Sequence, residues 1–123
     1  KLYTYTIYYY DFDKTHMSEN ASDLWIWEKN GAGATEGTPF TATETLSDGN
    51  EWLRAEIKLP YTDLQIIPRS KDEWKWQGDT VLYNNSATII KIKQKMSHST
   101  SYPTAIRRTQ HFQNWLSQNH AAS

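Results

Sequence analysis

Residues Asp23–Glu28 read DLWIWE, and the side on which each of them falls decides how the chain folds. Strand residues two apart share a face, roughly 6.6 Å from each other. Leu24 and Ile26 then share one side, while Asp23, Trp25, Trp27 and the following Lys29 share the other. If the tryptophans entered a core, Asp23 and Lys29 would be steered inward with them. If Leu24 and Ile26 are the core residues, the indoles look out and the charges stay in water. Burying unpaired charge costs more than exposing an indole, so outward-facing Trp25 and Trp27 are expected. A core role for one or both indoles is the alternative.

The same alternation runs through the neighbouring stretches. In KLYTYTIYYYDF, residues 1–12, Tyr3, Tyr5, Ile7 and Tyr9 share one face, and Thr4, Thr6, Tyr8 and Tyr10 the other. Thr, Tyr and Ile favour strands, which predicts a strand over Tyr3–Tyr10. In EWLRAEIKLP, Leu53, Ala55, Ile57 and Leu59 oppose Trp52, Arg54, Glu56 and Lys58. Further strands are predicted at Phe40–Thr45 (a short edge), at DLQIIP ending on Pro68, at TVLY and at TIIKIKQ, with Ile90 and Ile92 inward. Glycine, proline and polar clusters separate them: DFDKTHMSENAS, NGAGATEGTPF, SDGN, RSKDEWKWQGD and NNSA.

Short strands at this spacing predict an all-β chain, an immunoglobulin-like antiparallel β-sandwich over residues 1–94. Its expected core is Tyr5, Ile7, Leu24, Ile26, Leu53, Ala55, Ile57, Leu64, Ile66, Leu82, Ile90 and Ile92. Residues 95–104, with a proline and a polar texture, read as a linker. Residues 105–123 place Phe112, Trp115 and Leu116 on one helical face and are a candidate amphipathic helix.

Composition excludes several classes. The chain has 123 residues, enough for one domain, and a net charge of -1, which gives no field to draw in nucleic acid or anionic lipid. Without cysteine there is no disulfide framework and no thiol chemistry. No apolar run reaches the length of a membrane span, and no signal peptide stands at the start. The first residue is Lys rather than Met, so the chain is expected to be a piece of a longer protein. His16, His98, His111 and His120 show no metal-ligand spacing, Asp11 and Asp13 lack the calcium-loop pattern, and no Gly-x-Ser-x-Gly elbow or phosphate-cradling glycine loop occurs. Neither a cofactor, a metal nor a catalytic constellation is therefore expected. Six Trp and eight Tyr in a chain of mean hydropathy -0.80 are too many rings for a small core alone, so part of them is expected on a binding face.

A second alternating pair, DEWKWQGD, sets Trp74 and Trp76 among Asp72, Lys75, Gln77 and Asp79. An exposed ring is a platform for a flat apolar face, and polar neighbours add direction through hydrogen bonds. A pyranose has such a face of C–H groups, with hydroxyls around its edge. Trp76 could equally plug the end of the sandwich.

In order along the chain, YTIYYYDFD, DLWIWE, WLRAEIKLP, LQIIPRSKDEW, QGDTVLY and ATIIKIKQ resemble the successive strands of carbohydrate-binding module family 41, the modules attached to bacterial pullulanases and related amylolytic enzymes. The similarity runs from about Tyr3 to Gln94 and rests on the ordered set rather than on any single motif. It implies a non-catalytic immunoglobulin-like sandwich that binds α-glucans such as starch, amylose, pullulan and glycogen. Trp25 and Trp27 would be the stacking pair, Trp74 a third aromatic, and Asp79 an acceptor for sugar hydroxyls. The family's lysine precedes that aspartate. Here Gln77 and Gly78 stand before Asp79, so the role falls to Lys75, with Lys71 behind it and Gln77 as a partial substitute. Trp76 has no family counterpart and would widen the platform. The implied partner besides glucan is a covalently attached catalytic domain, in a secreted or cell-surface protein. The alternative is a sandwich that uses the same aromatic face against a partner protein.

Overall fold

The computed structural model describes residues 1–31, 33–71, 74–84 and 87–98. Among these the chain forms strands β1 (Tyr3–Asp11), β2 (Ser22–Glu28), β3 (Thr38–Pro39), β4 (Ala42–Thr45), β5 (Glu51–Leu59), β6 (Leu64–Ser70), β7 (Trp76–Gln77), β8 (Val81–Tyr83), β9 (Ile89–Gln94) and β10 (Ser97–His98), and no helix. The candidate C-terminal helix lies outside the described residues. One sheet has the order β4-β5-β1-β9 and the other β10-β7-β6-β2-β3, with β8 also on β6. The pairs are antiparallel except β1 with β9, where Ile7 stands beside Ile90 and Tyr9 beside Ile92. The architecture is the expected β-sandwich.

Alternation produces it. From the first sheet, Tyr5, Ile7, Tyr9, Leu53, Ala55, Ile90 and Ile92 point inward; from the second come Leu24, Ile26, Leu64 and Ile66, and all are buried in one cluster. Phe40 and Met96 complete that cluster, and both are additions to the expected core. Burial of Met96 and the pairing of β10 with β7 carry the sandwich past Gln94 to His98, so residues 95–98 belong to the domain rather than to a linker. Tyr5 keeps its hydroxyl satisfied inside the core by donating to the carbonyl of Tyr61 at 2.7 Å.

Two expectations fail in β6 and β8. Pro68 does not end its strand; it pairs with Leu24, and β6 continues to Ser70. Its carbonyl accepts from Gly78 N at 2.8 Å on the edge where β8 gives way to β7, so the missing N–H falls opposite a break in the neighbouring strand. Leu82 is 66% exposed, not core. It pairs with Gln65, which points away from the core, while Val81 and Tyr83 beside it pack inward. A slip of one residue exchanges the faces of a strand.

Candidate functional site

The face of β2 turned away from the inter-sheet core carries Asp23, Trp25 and Trp27. Cross-strand neighbours on β6 extend it in rows: Asp23 beside Arg69, Trp25 beside Ile67, Trp27 beside Gln65. The expected division of β2 is therefore correct, with Leu24 and Ile26 in the main core and the two indoles on the opposite side.

The expected exposure is not. Trp25 is 0% and Trp27 2% exposed. They form a second, smaller cluster with Ile67, Trp74 and Ala34 on the outer side of the sheet. Trp74 comes from the segment between β6 and β7 and sets its ring edge-on to Trp25, with centroids 5.5 Å apart. Ala34 comes from the segment that follows β2. Gly37 in that same segment lies so close to the Asp23–Arg69 pair that a Cβ there would run into the Asp23 carboxylate and stand 2.8 Å from Arg69 Nη2.

Asp23 is not unpaired: Arg69 donates Nε to Oδ1 at 2.8 Å and Nη2 to Oδ2 at 3.1 Å, with both side chains buried. A bidentate guanidinium supplies geometry as well as charge, and it lets a carboxylate leave water. Lys29 lies past the end of β2, is exposed, and precedes Asn30 at φ 61, where the chain turns away. The Arg69 guanidinium also lies 4.6 Å from the Trp25 ring centroid and 4.9 Å from that of Trp74. It thus stacks with the two indoles in a desolvated setting, where such contacts are strongest. Among the described residues, Arg69 Nη1 and Trp27 Nε1 are buried without a hydrogen-bond partner.

The remaining predicted residues divide. Ser70 Oγ accepts from Lys75 N at 3.1 Å and Trp76 N at 3.2 Å, which fixes the return of the chain into β7. Lys75 is exposed there, immediately after Trp74. Gln77 pairs with Arg69 and shares the tryptophan face. Trp76 therefore alternates to the other side, opposite His98, with its ring 5.3 Å from His16 and 5.7 Å from His98. It is 38% exposed and does not widen the Trp25–Trp27 surface; its ring contacts are with the two histidines. Asp79 is exposed, and its carbonyl accepts from Gln94 Nε2 at 3.2 Å, which ties it to β9. Arg69 and Asp23 were the residues missed. Their signal was present: each is a charge at the end of an apolar run of its strand, on the face opposite the inter-sheet core, and the signs are opposite.

In comparisons with known proteins, no family model and no curated protein matches this chain.

Proposed function

We propose that the chain is a non-catalytic module that binds α-1,4-glucans and holds an attached amylolytic enzyme at its polysaccharide, in a secreted or cell-surface protein. One observation carries the reading. Trp25, Trp27 and Trp74, from two separate segments, gather on the outer side of the second sheet although the fold already has its core on the inner side. A stability role alone is met by the inter-sheet cluster. A second aromatic cluster beside an exposed lysine suits a ligand with an apolar face and a hydroxyl edge. The ordered strand motifs that resemble family 41 support the same class of ligand.

Burial of the indoles changes the mechanism from an open shelf to a covered one. Glucose units would reach Trp25, Trp27 and Trp74 once the segment 33–37 is displaced. A cleft of about 370 Å³, bounded by Ala34, Gly37, Ile26 and Glu56, lies beside that segment. Lys75, and Asp79 beyond Gly78, would then contribute polar contacts to O2 and O3. Trp76 drops out of the site. Aromatic contacts contribute about 0.5–1.5 kcal/mol each beyond the area they bury, so the affinity is modest and insensitive to salt.

Titration calorimetry with maltoheptaose and cellohexaose tests this, with tryptophan emission followed in parallel. Saturable binding of the first and none of the second is expected, and Trp27→Phe, which preserves most of the buried volume, should weaken it. Wild-type protein that ignores maltoheptaose at millimolar concentration sinks the proposal.

A further inference from the structure

Strand β1 ends at Asp11, whose side chain is fully buried. The chain turns there, with Lys14 at φ 62 donating its N–H to the carbonyl of Asp11 at 3.1 Å. That turn brings Asp13 and His16 to the Asp11 carboxylate, and one ligand atom from each of the three lies within 4.8 Å of the other two. The His16 side chain is 8% exposed. Its Nδ1 points at Asp11 Oδ2 from 3.4 Å and makes no hydrogen bond.

A buried ring nitrogen without a partner is costly, and a charge-assisted bond to a carboxylate closes to about 2.7–2.9 Å. At 3.4 Å the two groups are neighbours that are not hydrogen-bonded, which leaves the ring nitrogen to another partner. The carboxylates are already oriented from outside, as metal-bound carboxylates are. Asp11 Oδ2 accepts from Tyr9 OH at 2.8 Å and Met96 N at 3.3 Å, and Asp11 Oδ1 from Asp13 N at 3.1 Å. Asp13 Oδ1 accepts from Thr15 N at 3.0 Å. Asp11 Oδ2 has both lone pairs engaged, whereas Asp11 Oδ1 and the Asp13 carboxylate have lone pairs left over, and exposed Asp13 leaves an entry path from solvent.

We propose that Asp11, Asp13 and His16 bind a divalent transition ion of the zinc type, with solvent in the fourth position. An imidazole with two carboxylates suits such an ion, whereas calcium takes six to eight oxygens. The ion would staple the segment between β1 and β2 to the end of the sandwich. It would also fix His16 against Trp76, whose ring is 5.3 Å away and serves as a reporter.

The full chain, stripped of metal with a chelator, is titrated with Zn²⁺ by calorimetry and tryptophan emission, with Ca²⁺ in a parallel arm. One equivalent of Zn²⁺ should bind and raise the melting temperature. His16→Ala and Asp13→Asn should each weaken binding by about tenfold or more, the scale on which even outer partners of a metal act. His98→Ala, at a residue that also contacts Trp76 but is not among the three ligands, should leave the affinity unchanged. Should His16→Ala unfold, exposed Asp13 still decides the matter, since Asp13→Asn leaves the sandwich intact. No saturable Zn²⁺ binding, the same affinity in Asp13→Asn, or stabilisation by Ca²⁺ alone would overturn the proposal.

Discussion

Removing one partner of the Asp23–Arg69 pair is the sharpest test of how the outer face of the second sheet is held. In Asp23→Ala the guanidinium keeps its place between Trp25 and Trp74 but loses both carboxylate contacts, at 2.8 and 3.1 Å, in a site that is 0% exposed. Breaking a buried pair from one side costs about 3–5 kcal/mol, because a charge is left without compensation. Domains of this size are stable by about 5–15 kcal/mol in total, so the loss takes a large share of the margin. With a urea m-value of about 2 kcal/mol/M, a loss of about 4 kcal/mol lowers the midpoint by about 2 M. Arg69→Ala should cost at least as much, since it also forfeits the stacking on two indoles. The double variant Asp23→Leu/Arg69→Met removes both charges and refills the volume, and should unfold near the wild-type midpoint. Urea denaturation of the four proteins separates the cost of an uncompensated charge from the net worth of the pair. A cost below about 1 kcal/mol for Asp23→Ala, the range of solvated ion pairs, would refute the claim that the pair is dry.

Three further outcomes are expected. Leu82→Lys should change stability by less than about 0.5 kcal/mol, while Ile66→Ala, on the adjoining strand but facing inward, should cost about 2–5 kcal/mol; equal costs in thermal unfolding would mean the β6–β8 register is wrong. The Asp48 carboxyl sits below its usual pKa because it accepts from Asn50 N at 2.9 Å, then from Trp52 Nε1 at 3.2 Å. Its contribution is thus present above about pH 4 and is lost as pH falls through the lowered value, so the melting temperatures of wild type and Asp48→Asn should converge below pH 4, and a constant gap would count against it. Gly37→Ala should push the segment 33–37 off the Asp23 carboxylate and raise acrylamide quenching of tryptophan emission; quenching equal to wild type would show that this segment is not the cover.

The alternation in β1, β2, β5 and β9 was legible because it is local: a period of two in the sequence is a period of two in space. It assigned the inward and outward sides of Tyr5 and Tyr8, of Leu24 and Trp25, of Leu53 and Trp52, and of Ile90 and Lys91. What lay outside local pattern was misread. Whether an outward residue is wet depends on what crosses over it, and Ala34, Gly37 and Trp74 arrive from segments with no periodicity. The fate of Asp23 depended on a partner 46 residues away in the sequence. Pro68 was read as a stop because a proline lacks a donor; that matters only where a neighbour would accept, and there the adjoining strand is interrupted. Leu82 sat in a strand too short for its own pattern to choose a face. Trp76, two positions from Trp74, is expected beside it in a loop, but β7 begins at Trp76 and alternation there turns its ring to the other side of the sheet.

The cover also determines what a glucan measurement can return. A site that is competent only when open binds with its intrinsic constant divided by the open fraction. A tryptophan buries about 150–250 Å², so baring both indoles of β2 completely would cost about 8–12 kcal/mol at about 25 cal/mol per Å², comparable to the stability of the whole domain. Complete exposure is thus not a usable state. Baring about 100 Å², enough for one sugar face to meet a ring, costs about 2.5 kcal/mol and holds the open fraction near 1–2%. Loosening the cover without touching the indoles should recover part of that penalty. Gly37→Ala should bind maltoheptaose more tightly than wild type, by up to about 70-fold, the factor to which 2.5 kcal/mol corresponds at 1.36 kcal/mol per decade. An open shelf predicts no gain from that substitution. A protein-partner surface predicts no response to maltoheptaose in either chain. If Gly37→Ala increases quenching by acrylamide yet leaves glucan affinity where it was, the indoles beneath the cover are not where the sugar goes.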